Sequence, residues 1–217
     1  MKKRYLFLLI SFLSIIASCS KDKIINTHDR VGISKVTYYP ILTLTGNAII
    51  AIPNGTAYTD PGVKAQAAGV DVPVTTSGTL DVKTDGVYTL TYSAVNSDGY
   101  SASATRKVVV YTTAADAAAN DLSGNYARTT NGSVATWTKI APGVYTVFNP
   151  GGAPGTNLTV VAINPSGFNI SIPEQLASDG SPTSSTNESY TNSNPAKYSW
   201  KIVNPGYGTG LRTFIKQ

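Results

Sequence analysis

Apolar and polar residues alternate along much of the chain beyond residue 36, and short turn-forming sequences repeatedly interrupt this alternation. Between residues 87 and 95, for example, Tyr88, Leu90 and Tyr92 alternate with threonine and serine. A period of two residues is typical of a β-strand with one buried face. Strands are therefore predicted over residues 37–45, 48–52, 70–74, 78–82, 87–95 and 101–111, and then over 126–130, 135–141, 144–149, 158–164, 167–172, 198–204 and 211–216.

Turn sequences separate these predicted strands. Asn-Ser-Asp-Gly at 96–99 favours a hairpin loop, and Pro-Gly at 142–143 and Asn-Pro-Gly at 204–206 mark further turns. Most connections are short, which favours antiparallel pairing of successive strands. Residues 175–196 differ, because small polar residues, glycine and proline fill them without an apolar rhythm. They are predicted to form a long polar loop, which in a compact domain is usually functional or disordered.

The pattern predicts an all-β protein with two folded units. Residues 36–111 have the length and the short strands of a small β-sandwich. Residues 121–217 are predicted to form a second antiparallel β-domain, a meander that either closes as a β-barrel or packs as a second β-sandwich. Residues 112–120 are interpreted as a linker, within which the alanine-rich stretch 114–119 is the only candidate helix after the N-terminal segment.

One local sequence sharpens the interpretation of the first unit. Asp-Gly-Val-Tyr at 85–88 has the spacing of a tyrosine corner, and Leu90 stands where disulfide-bonded immunoglobulin domains carry cysteine. With Tyr-Thr-Asp-Pro-Gly at 58–62 and a valine-rich last strand, residues 41–111 resemble the bacterial immunoglobulin-like modules of cell-surface proteins. The resemblance implies an immunoglobulin-like β-sandwich that serves as a spacer or stalk. A β-sandwich of another topology is the alternative.

The N-terminal segment has the order of a secretory signal. A basic head at 2–4 precedes an apolar run over 5–16, which small residues and Cys19, the single cysteine, follow. Ile-Ala-Ser-Cys at 16–19 resembles the lipobox of bacterial lipoproteins, which implies cleavage before Cys19 and a lipid attached to it. A transmembrane helix is disfavoured, because about 20 apolar residues are needed to span a bilayer. A plain secretory signal is the other alternative.

Residues 1–18 are thus predicted to be a lipoprotein signal peptide, and residues 19–35 a flexible polar tether. We expect an outer-membrane lipoprotein of the cell envelope, held in the membrane by the lipid on Cys19. In Bacteroidetes, the lipoproteins displayed at the cell surface resemble one another in an acidic cluster after the cysteine. This chain has only Asp22 there, between two lysines. This disfavours display at the cell surface, and the periplasmic face of the membrane remains open.

The second unit carries a resemblance of its own. It opens with Leu-Ser-Gly-Asn-Tyr-Ala-Arg at 122–128, continues with Trp-Thr-Lys-Ile-Ala-Pro-Gly-Val-Tyr at 137–145, and ends with Asn-Pro-Gly-Tyr-Gly-Thr-Gly-Leu-Arg-Thr-Phe at 204–214. These sequences resemble the C-terminal domain of a Bacteroidetes lipoprotein family of unknown function, whose members also carry an immunoglobulin-like module in front. The resemblance covers nearly the whole chain after Cys19 and implies no established activity.

Charge and composition narrow the class of partner. The formal charge is +5, but removal of Lys2, Lys3 and Arg4 with the signal leaves 14 basic and 12 acidic residues. The remaining charges form no basic patch in the sequence that would indicate binding of nucleic acid. If Cys19 is acylated, no disulfide can form, so core packing must stabilise the fold.

No catalytic set can be assembled from the sequence. His28, the single histidine, lies in the predicted tether, where nothing holds it against a nucleophile. Zinc sites need cysteine and histidine ligands, and a glycosidase needs two carboxyl groups placed across the sugar. No carboxylate pair in the second unit is fixed by a strand pattern. We therefore expect no enzymatic activity, no metal and no cofactor. The carboxylates of the second unit are Asp121, Glu174, Asp179 and Glu188.

Calcium is a possible exception in the first unit. Asp60, Asp85 and Asp98 fall in predicted loops and carry the oxygen ligands that calcium prefers. Aspartate also favours turns because its side chain accepts hydrogen bonds from nearby backbone amides. The turn interpretation is preferred, and a calcium site is the alternative.

Carbohydrate binding is the most specific hypothesis for the second unit. Flat sugar faces stack on exposed aromatic rings, while asparagine, threonine and arginine bind the hydroxyl groups. Tyr190 and Tyr207 are favoured because both are predicted in loops, where function concentrates. Arg212 follows a Gly-Thr-Gly turn and could reach the same rim. Trp137 and Trp200 are further candidates, although aromatic residues on a β-face more often belong to the core.

The sequence thus predicts a lipid-anchored cell-envelope binding protein whose C-terminal β-domain recognises an oligosaccharide. The oligosaccharide is inferred by analogy with glycan-uptake lipoproteins. The alternative is a structural or adhesive component of an outer-membrane assembly that contacts another envelope protein. A binding module should expose an aromatic pair with polar neighbours, whereas an assembly component should expose an apolar patch or a strand edge.

Overall fold

The computed structural model describes residues 30–31 and 34–217. Its contacts divide the chain into two units, residues 1–38 and residues 39–217. In the first unit, strands β1 (Arg30–Val31) and β2 (Ser34–Lys35) form an antiparallel pair within the predicted tether. The predicted signal peptide, Cys19 and the tether up to residue 29 lie outside the described residues.

The unit from residue 39 onward begins with a β-sandwich. Its strands are β3 (Ile41–Leu44), β4 (Ile49–Pro53), β5 (Val63–Ala67), β6 (Val70–Asp71), β7 (Val74–Ser77), β8 (Gly86–Val95) and β9 (Ser101–Tyr111). One sheet has the order β3-β5-β6 and the other the order β4-β9-β8-β7, with β4 parallel to β9 and the other pairs antiparallel. The buried side chains between the sheets are Ile52, Leu90, Tyr92, Val108 and Val110.

In the sandwich, the sequence pattern missed one strand and predicted another that does not form, and both differences have local causes. Strand β5 was not predicted, because only valine and alanine mark its inner positions after the Pro61-Gly62 turn. The predicted strand 78–82 is wrong. Its end is an Asp81 turn, in which the carboxylate accepts hydrogen bonds from the Lys83 N–H at 2.9 Å and the Thr84 hydroxyl at 2.7 Å.

The tyrosine corner is confirmed. The Tyr88 hydroxyl donates a hydrogen bond to the Thr84 carbonyl, four residues upstream, at 2.8 Å. Asp85 joins the same corner to the end of the last strand, because it accepts hydrogen bonds from the Asn54 side-chain amide at 2.6 Å and the Thr112 N–H at 3.0 Å. The immunoglobulin-like sandwich is therefore closed by the local contacts that its sequence indicated.

The rest of the chain forms an all-antiparallel, barrel-like sheet. Its strands are β10 (Gly124–Arg128), β11 (Val134–Ala141), β12 (Val144–Phe148), β13 (Thr159–Ile163), β14 (Gln175–Leu176), β15 (Pro182–Thr191), β16 (Lys197–Val203) and β17 (Arg212–Lys216). The order is β13-β12-β11-β10-β17-β16-β15-β14. Aromatic rings fill the interior: Trp137 stacks on Trp200 at 5.4 Å between centroids, and Tyr198 stacks on Phe214 at 4.7 Å.

Side chains close the seam between β13 and β14, the two ends of this sheet. The Gln175 amide donates to the Val161 carbonyl at 2.7 Å and accepts from the Val161 N–H at 2.8 Å, as a neighbouring strand would. The Ser178 N–H adds a bond to the Thr159 carbonyl at 3.0 Å. The second domain is therefore a nearly closed barrel, and the alternative of a second sandwich is not realised.

The prediction of a long polar loop over 175–196 is wrong, because this range contains β14 and the ten-residue strand β15. Strand β15 pairs with β16 from Ser184↔Val203 to Thr191↔Lys197. The backbone ladder and small polar side chains hold it in place, so no apolar alternation marks it. The predicted strand 167–172 is also wrong: it is a loop with one isolated bridge, between Ser171 and Ile163.

The sandwich packs against the outer wall of the barrel. Val109 and Tyr111 of β9 form a buried apolar cluster with Val144 of β12 and Val161 of β13. We call these four residues the interdomain cluster. Lys107 of β9 donates a hydrogen bond to the Leu176 carbonyl of β14, which covers a backbone group at the barrel seam.

The segment predicted as a linker also lies against the barrel. It contains one helical turn, α1 (Ala115–Ala118), whose Ala117 is buried. The Thr113 hydroxyl donates to the Asn164 carbonyl at 2.5 Å, and the Asn120 side-chain amide donates to the Gly167 carbonyl at 2.6 Å. These bonds and the interdomain cluster join the two domains over a continuous contact.

Candidate functional site

An exposed aromatic pair lies at the end of the barrel where β15 finishes. Phe168, in the loop between β13 and β14, stacks on Tyr190 of β15 with ring centroids 5.5 Å apart and ring planes 10° apart. Phe168 is 36% exposed and Tyr190 is half-buried. The two stacked rings cover part of each other, and the exposed part of Phe168 presents an apolar surface to the solvent.

A hydrogen bond to the barrel orients the Tyr190 ring. Its hydroxyl lies 3.2 Å from the hydroxyl of buried Tyr126, which donates to the Leu122 carbonyl at 2.9 Å. Burial, and then the bond with Tyr190, raises the pKa of Tyr126, so its hydroxyl stays protonated and keeps this donor role. The orientation of Tyr190 is thus set before any ligand arrives, which reduces the entropy that binding would cost.

Two polar grooves flank the aromatic pair, and Tyr190 lines both. We call this region the Tyr190 surface. The first groove, of about 490 Å³, is lined by Phe168, Asn169, Ile170, Glu188, Ser189 and Tyr190. The second, of about 310 Å³, is lined by Tyr190, the loop 192–196, Asp121, Lys216 and Gln217.

The polar groups of the Tyr190 surface include both donors and acceptors. Hydrogen bonds from the Ser123 hydroxyl and N–H, followed by the charges of Lys139 and Lys216, hold the pKa of Asp121 below its usual range. Asp121 is therefore a carboxylate acceptor at neutral pH. Glu188 already accepts a bond from the Ser185 hydroxyl at 2.6 Å, which orients its carboxylate. Carboxylates, amides, hydroxyls and an ammonium beside a flat apolar face suit a polyhydroxylated ligand.

The structure separates the residues that the sequence placed on one rim. Tyr190 is at the Tyr190 surface, but Tyr207 lies between β16 and β17 at the opposite end of the barrel. There it lines another groove, of about 620 Å³, with Ser184 of β15. Tyr190 lies six positions after Ser184 along β15, so the two residues are roughly 20 Å apart at about 3.3 Å per position. One ligand ring cannot contact both tyrosines.

Three of the predicted ligand-binding residues are buried, and this corrects the sequence interpretation. Trp137 is 2% exposed and Trp200 is 0% exposed, and the Trp200 indole N–H donates to the Pro150 carbonyl at 2.8 Å. Arg212 is 7% exposed beneath the Tyr207 ring, with its Cζ 5.1 Å from the ring centroid. All three side chains lie on the inward faces of their strands, β11, β16 and β17, so none of them is at an exposed rim.

Sequence reasoning did not single out Phe168, Asn169 or Ser189, and it considered Glu188 only as a catalytic carboxylate. Phe168 was assigned to a strand, although the preceding Asn-Pro-Ser-Gly at 164–167 is a turn signal that could have placed it in a loop. Its stacking on Tyr190 joins positions 22 residues apart, which alternation cannot reveal.

The aspartates considered for calcium have protein partners instead. Asp60 forms an ion pair with Arg106, and Asp85 accepts hydrogen bonds from the Asn54 side-chain amide and the Thr112 N–H. Over residues 30–31 and 34–217, no group of three or more acidic, histidine or cysteine side chains converges as a metal site would require. In the same residues, no helix has the length and apolar character needed to cross a bilayer.

Comparison with known proteins addresses the first domain directly. Residues 42–110 match the family model of the bacterial surface protein Ig-like domain. This match confirms the resemblance read from the tyrosine corner, and it places the Ig-like domain in a class found at the bacterial cell surface. It covers less than half of the chain.

The solved structures that match include a lipoprotein from Bacteroides thetaiotaomicron. The similarity covers 82% of this chain and 100% of the lipoprotein chain, at 20% sequence identity and with a TM-score of 0.42. No curated protein matches the chain.

Proposed function

We propose that the protein is a lipid-anchored outer-membrane protein that binds an oligosaccharide at the Tyr190 surface. The observation that carries the proposal is the stacked, exposed pair Phe168 and Tyr190 between two polar grooves. An aromatic pair with polar neighbours is the feature that separates a glycan-binding module from an assembly component. The Ig-like domain packs against the outer wall of the barrel at β12 and β13.

The chemistry of the Tyr190 surface favours a neutral sugar chain over a small apolar ligand. A pyranose ring presents C–H groups on a flat face, and the electron-rich face of an aromatic ring attracts them. The hydroxyl groups of the sugar need hydrogen-bond donors and acceptors beside the aromatic ring. Asn169, Glu188 and Ser189 lie beside Phe168 and can supply them. The grooves on either side of Tyr190 give room for more than one sugar unit.

Affinity gel electrophoresis against starch, laminarin, xylan, mannan, pectin and mucin tests the proposal. We expect at least one polysaccharide to retard the wild-type chain, and Phe168→Ala to weaken that binding about tenfold, which corresponds to about 1.4 kcal/mol. The matched control is Phe148→Ala, since Phe148 is a similarly exposed phenylalanine on β12 that lines neither groove.

Equal retardation of Phe168→Ala and Phe148→Ala would contradict the assignment of the Tyr190 surface. No retardation with any polysaccharide would favour the alternative, a protein contact within an envelope assembly. That alternative has its own observation: Ile41 and Val70 are exposed on β3 and β6, the two edge strands of one sheet of the Ig-like domain.

The lipid anchor is a separate part of the proposal, and it rests on the sequence at 16–19. We expect radiolabelled palmitate to enter the wild-type protein and to be absent from Cys19→Ala when both are expressed in a bacterial host that processes lipoproteins. Several acyl chains would give stable membrane attachment, since each buried methylene contributes about 0.8 kcal/mol. Ser18→Ala, which keeps a small residue before the cysteine, is the control and should label normally. Equal labelling of wild type and Cys19→Ala would refute the anchor.

A further inference from the structure

Two arginines point into the barrel at the end opposite the Tyr190 surface. Arg128 of β10 pairs with Phe214 of β17, and Arg212 lies two residues before Phe214 on the same inward face. Side chains in this diagonal relation on adjacent strands start roughly 7–8 Å apart. The two guanidinium groups therefore occupy neighbouring positions in the same barrel mouth.

Both guanidinium groups use only one nitrogen to bind the protein. Arg128 Nη1 donates to the carbonyls of Gly151 and Gly152 at 3.3 and 3.2 Å. Arg212 Nη1 donates to the carbonyls of Gly208 and Gly210 at 3.2 and 3.0 Å. Over the described part of the chain, the Nε atoms of both arginines are buried and have no hydrogen-bond partner. The edge of each group that carries Nε and Nη2 is thus unused, and this is the edge that binds a carboxylate or a phosphate in bidentate geometry.

No acidic residue among residues 30–31 and 34–217 forms an ion pair with either arginine. Burial, and then the nearby positive charge of Arg128, lowers the pKa of Arg212. The Tyr207 ring over Arg212 supplies only a partial negative charge. Two like charges in a partly buried position repel each other, and an anion between them would relieve both the repulsion and the unused donors.

The tip of the loop that covers Arg212 is open to solvent at two glycines, although Tyr207 of the same loop packs against the barrel core. At Gly208 and Gly210, no neighbouring atom lies within 4 Å of the position that a Cβ would take. The groove of about 620 Å³ next to this loop includes Tyr207 and Thr209 in its wall. A ligand in the groove therefore lies next to the residues that cover Arg212.

The geometry points to an oxyanion-binding site formed by Arg128 and Arg212. Its ligand is a carboxylate, sulfate or phosphate group, carried either by an acidic sugar in the Tyr207 groove or by a free ion. The site is independent of the Tyr190 surface, because it lies at the other end of the barrel and uses charge rather than ring stacking.

Thermal unfolding of the full chain, at constant ionic strength maintained with sodium chloride, tests this site. Millimolar sodium sulfate, sodium phosphate and sodium glucuronate are the probes, and glucose is the uncharged control. We expect at least one oxyanion to raise the Tm by about 2–4 °C at concentrations well above its Kd, and glucose to have no effect. A larger shift with glucuronate identifies an acidic sugar as the source, and a larger shift with sulfate or phosphate identifies a free ion.

The variants Arg128→Lys and Arg212→Lys keep the charge but lose the bidentate edge, so each should lose most of the Tm shift. Lys64→Met, which removes an exposed cation from the Ig-like domain, should keep it. NMR of the arginine Nε–H groups in the wild-type chain gives a readout that does not depend on variants, and two resonances should move in a saturable way. Unmoved resonances, or equal Tm shifts in all variants, would overturn the proposal.

Discussion

Replacing Asp60 with alanine is expected to lower the free energy of unfolding by about 3–5 kcal/mol, because it leaves a buried cation without its partner. Arg106 of β9 is fully buried in the Ig-like domain and forms an ion pair with Asp60. The Tyr92 hydroxyl and the Gly62 N–H also donate to the Asp60 carboxylate, at 2.6 and 2.9 Å. One substitution therefore disrupts three charge-assisted contacts in the core.

Asp71→Ala is the matched control for this prediction. Asp71 lies 3.6 Å from Lys64, and both side chains are exposed. An exposed ion pair contributes about 0–1 kcal/mol, so this variant should unfold at nearly the wild-type urea concentration. Urea unfolding of the two variants side by side is the measurement. Equal losses would show that the buried pair does not stabilise the Ig-like domain.

Acid should remove the contribution of Asp60. Burial pushes the pKa of its carboxyl upward, but the bonds from Tyr92 and Gly62 and the charge of Arg106 outweigh burial and hold the pKa below its usual range. A carboxyl group with a lowered pKa stabilises the fold above its unfolded-state pKa, and the contribution disappears as the pH falls through the folded-state pKa. The difference in unfolding free energy between wild type and Asp60→Asn should therefore be full at neutral pH and should shrink below about pH 4.

Val161→Asp is expected to cost about 4 kcal/mol and to separate the unfolding of the two domains. Val161 points outward from the barrel and is fully buried against the Ig-like domain in the interdomain cluster. A carboxylate there would lose its hydration with no cation to replace it. The variant should keep both cores but lose the contact that couples them.

The tryptophans allow this separation to be measured. Trp137 and Trp200 are the only two in the chain, and both lie in the barrel core. Tryptophan fluorescence therefore reports the barrel, whereas far-ultraviolet circular dichroism reports both domains. We expect the two thermal transitions to coincide in the wild type and to separate in Val161→Asp. Val203→Asp, at an exposed valine on β16, should leave them coincident, and separate transitions in the wild type would contradict the coupling.

The sequence identified the β-strands wherever one face of a strand is buried and the other is not. The strands that include Tyr88 and Trp200 follow this rule and lie within two residues of their predicted bounds. Strand β15 does not, because threonine and serine occupy most of its inner positions, and the backbone ladders to β14 and β16 define it. A strand without an apolar face shows no alternation of apolar and polar residues, so its sequence does not predict it.

The sequence contains an indication of the contact between the domains, which the alternation of apolar and polar residues does not reveal. Val108 to Tyr111 is a continuous apolar run, and such runs indicate a strand that is buried on both faces. In the structure, Val108 and Val110 face the inside of the sandwich, whereas Val109 and Tyr111 face the barrel. The Ig-like domain was predicted as a spacer, and this second apolar face is the feature that packs it onto the barrel.

The candidate site was the part least accessible to sequence reasoning. Tyr190 was chosen because it was predicted in a loop, and it lies at the end of β15, where it is half-buried. Its partner Phe168 and the orienting bond to Tyr126 come from distant positions that only the closed barrel brings together. Trp137 and Trp200 lie on faces that alternation identified correctly, but periodicity cannot say which face of a barrel is the interior.

The position of a bound sugar tests the central claim most directly. The experiment is a crystal structure of the chain with an oligosaccharide of the polysaccharide that retards it most. The account predicts a sugar ring stacked within about 4 Å of Phe168, with hydroxyl groups bonded to Asn169, Glu188 or Ser189. An oligosaccharide bound elsewhere, with the Phe168 and Tyr190 rings left in contact with solvent, would contradict it.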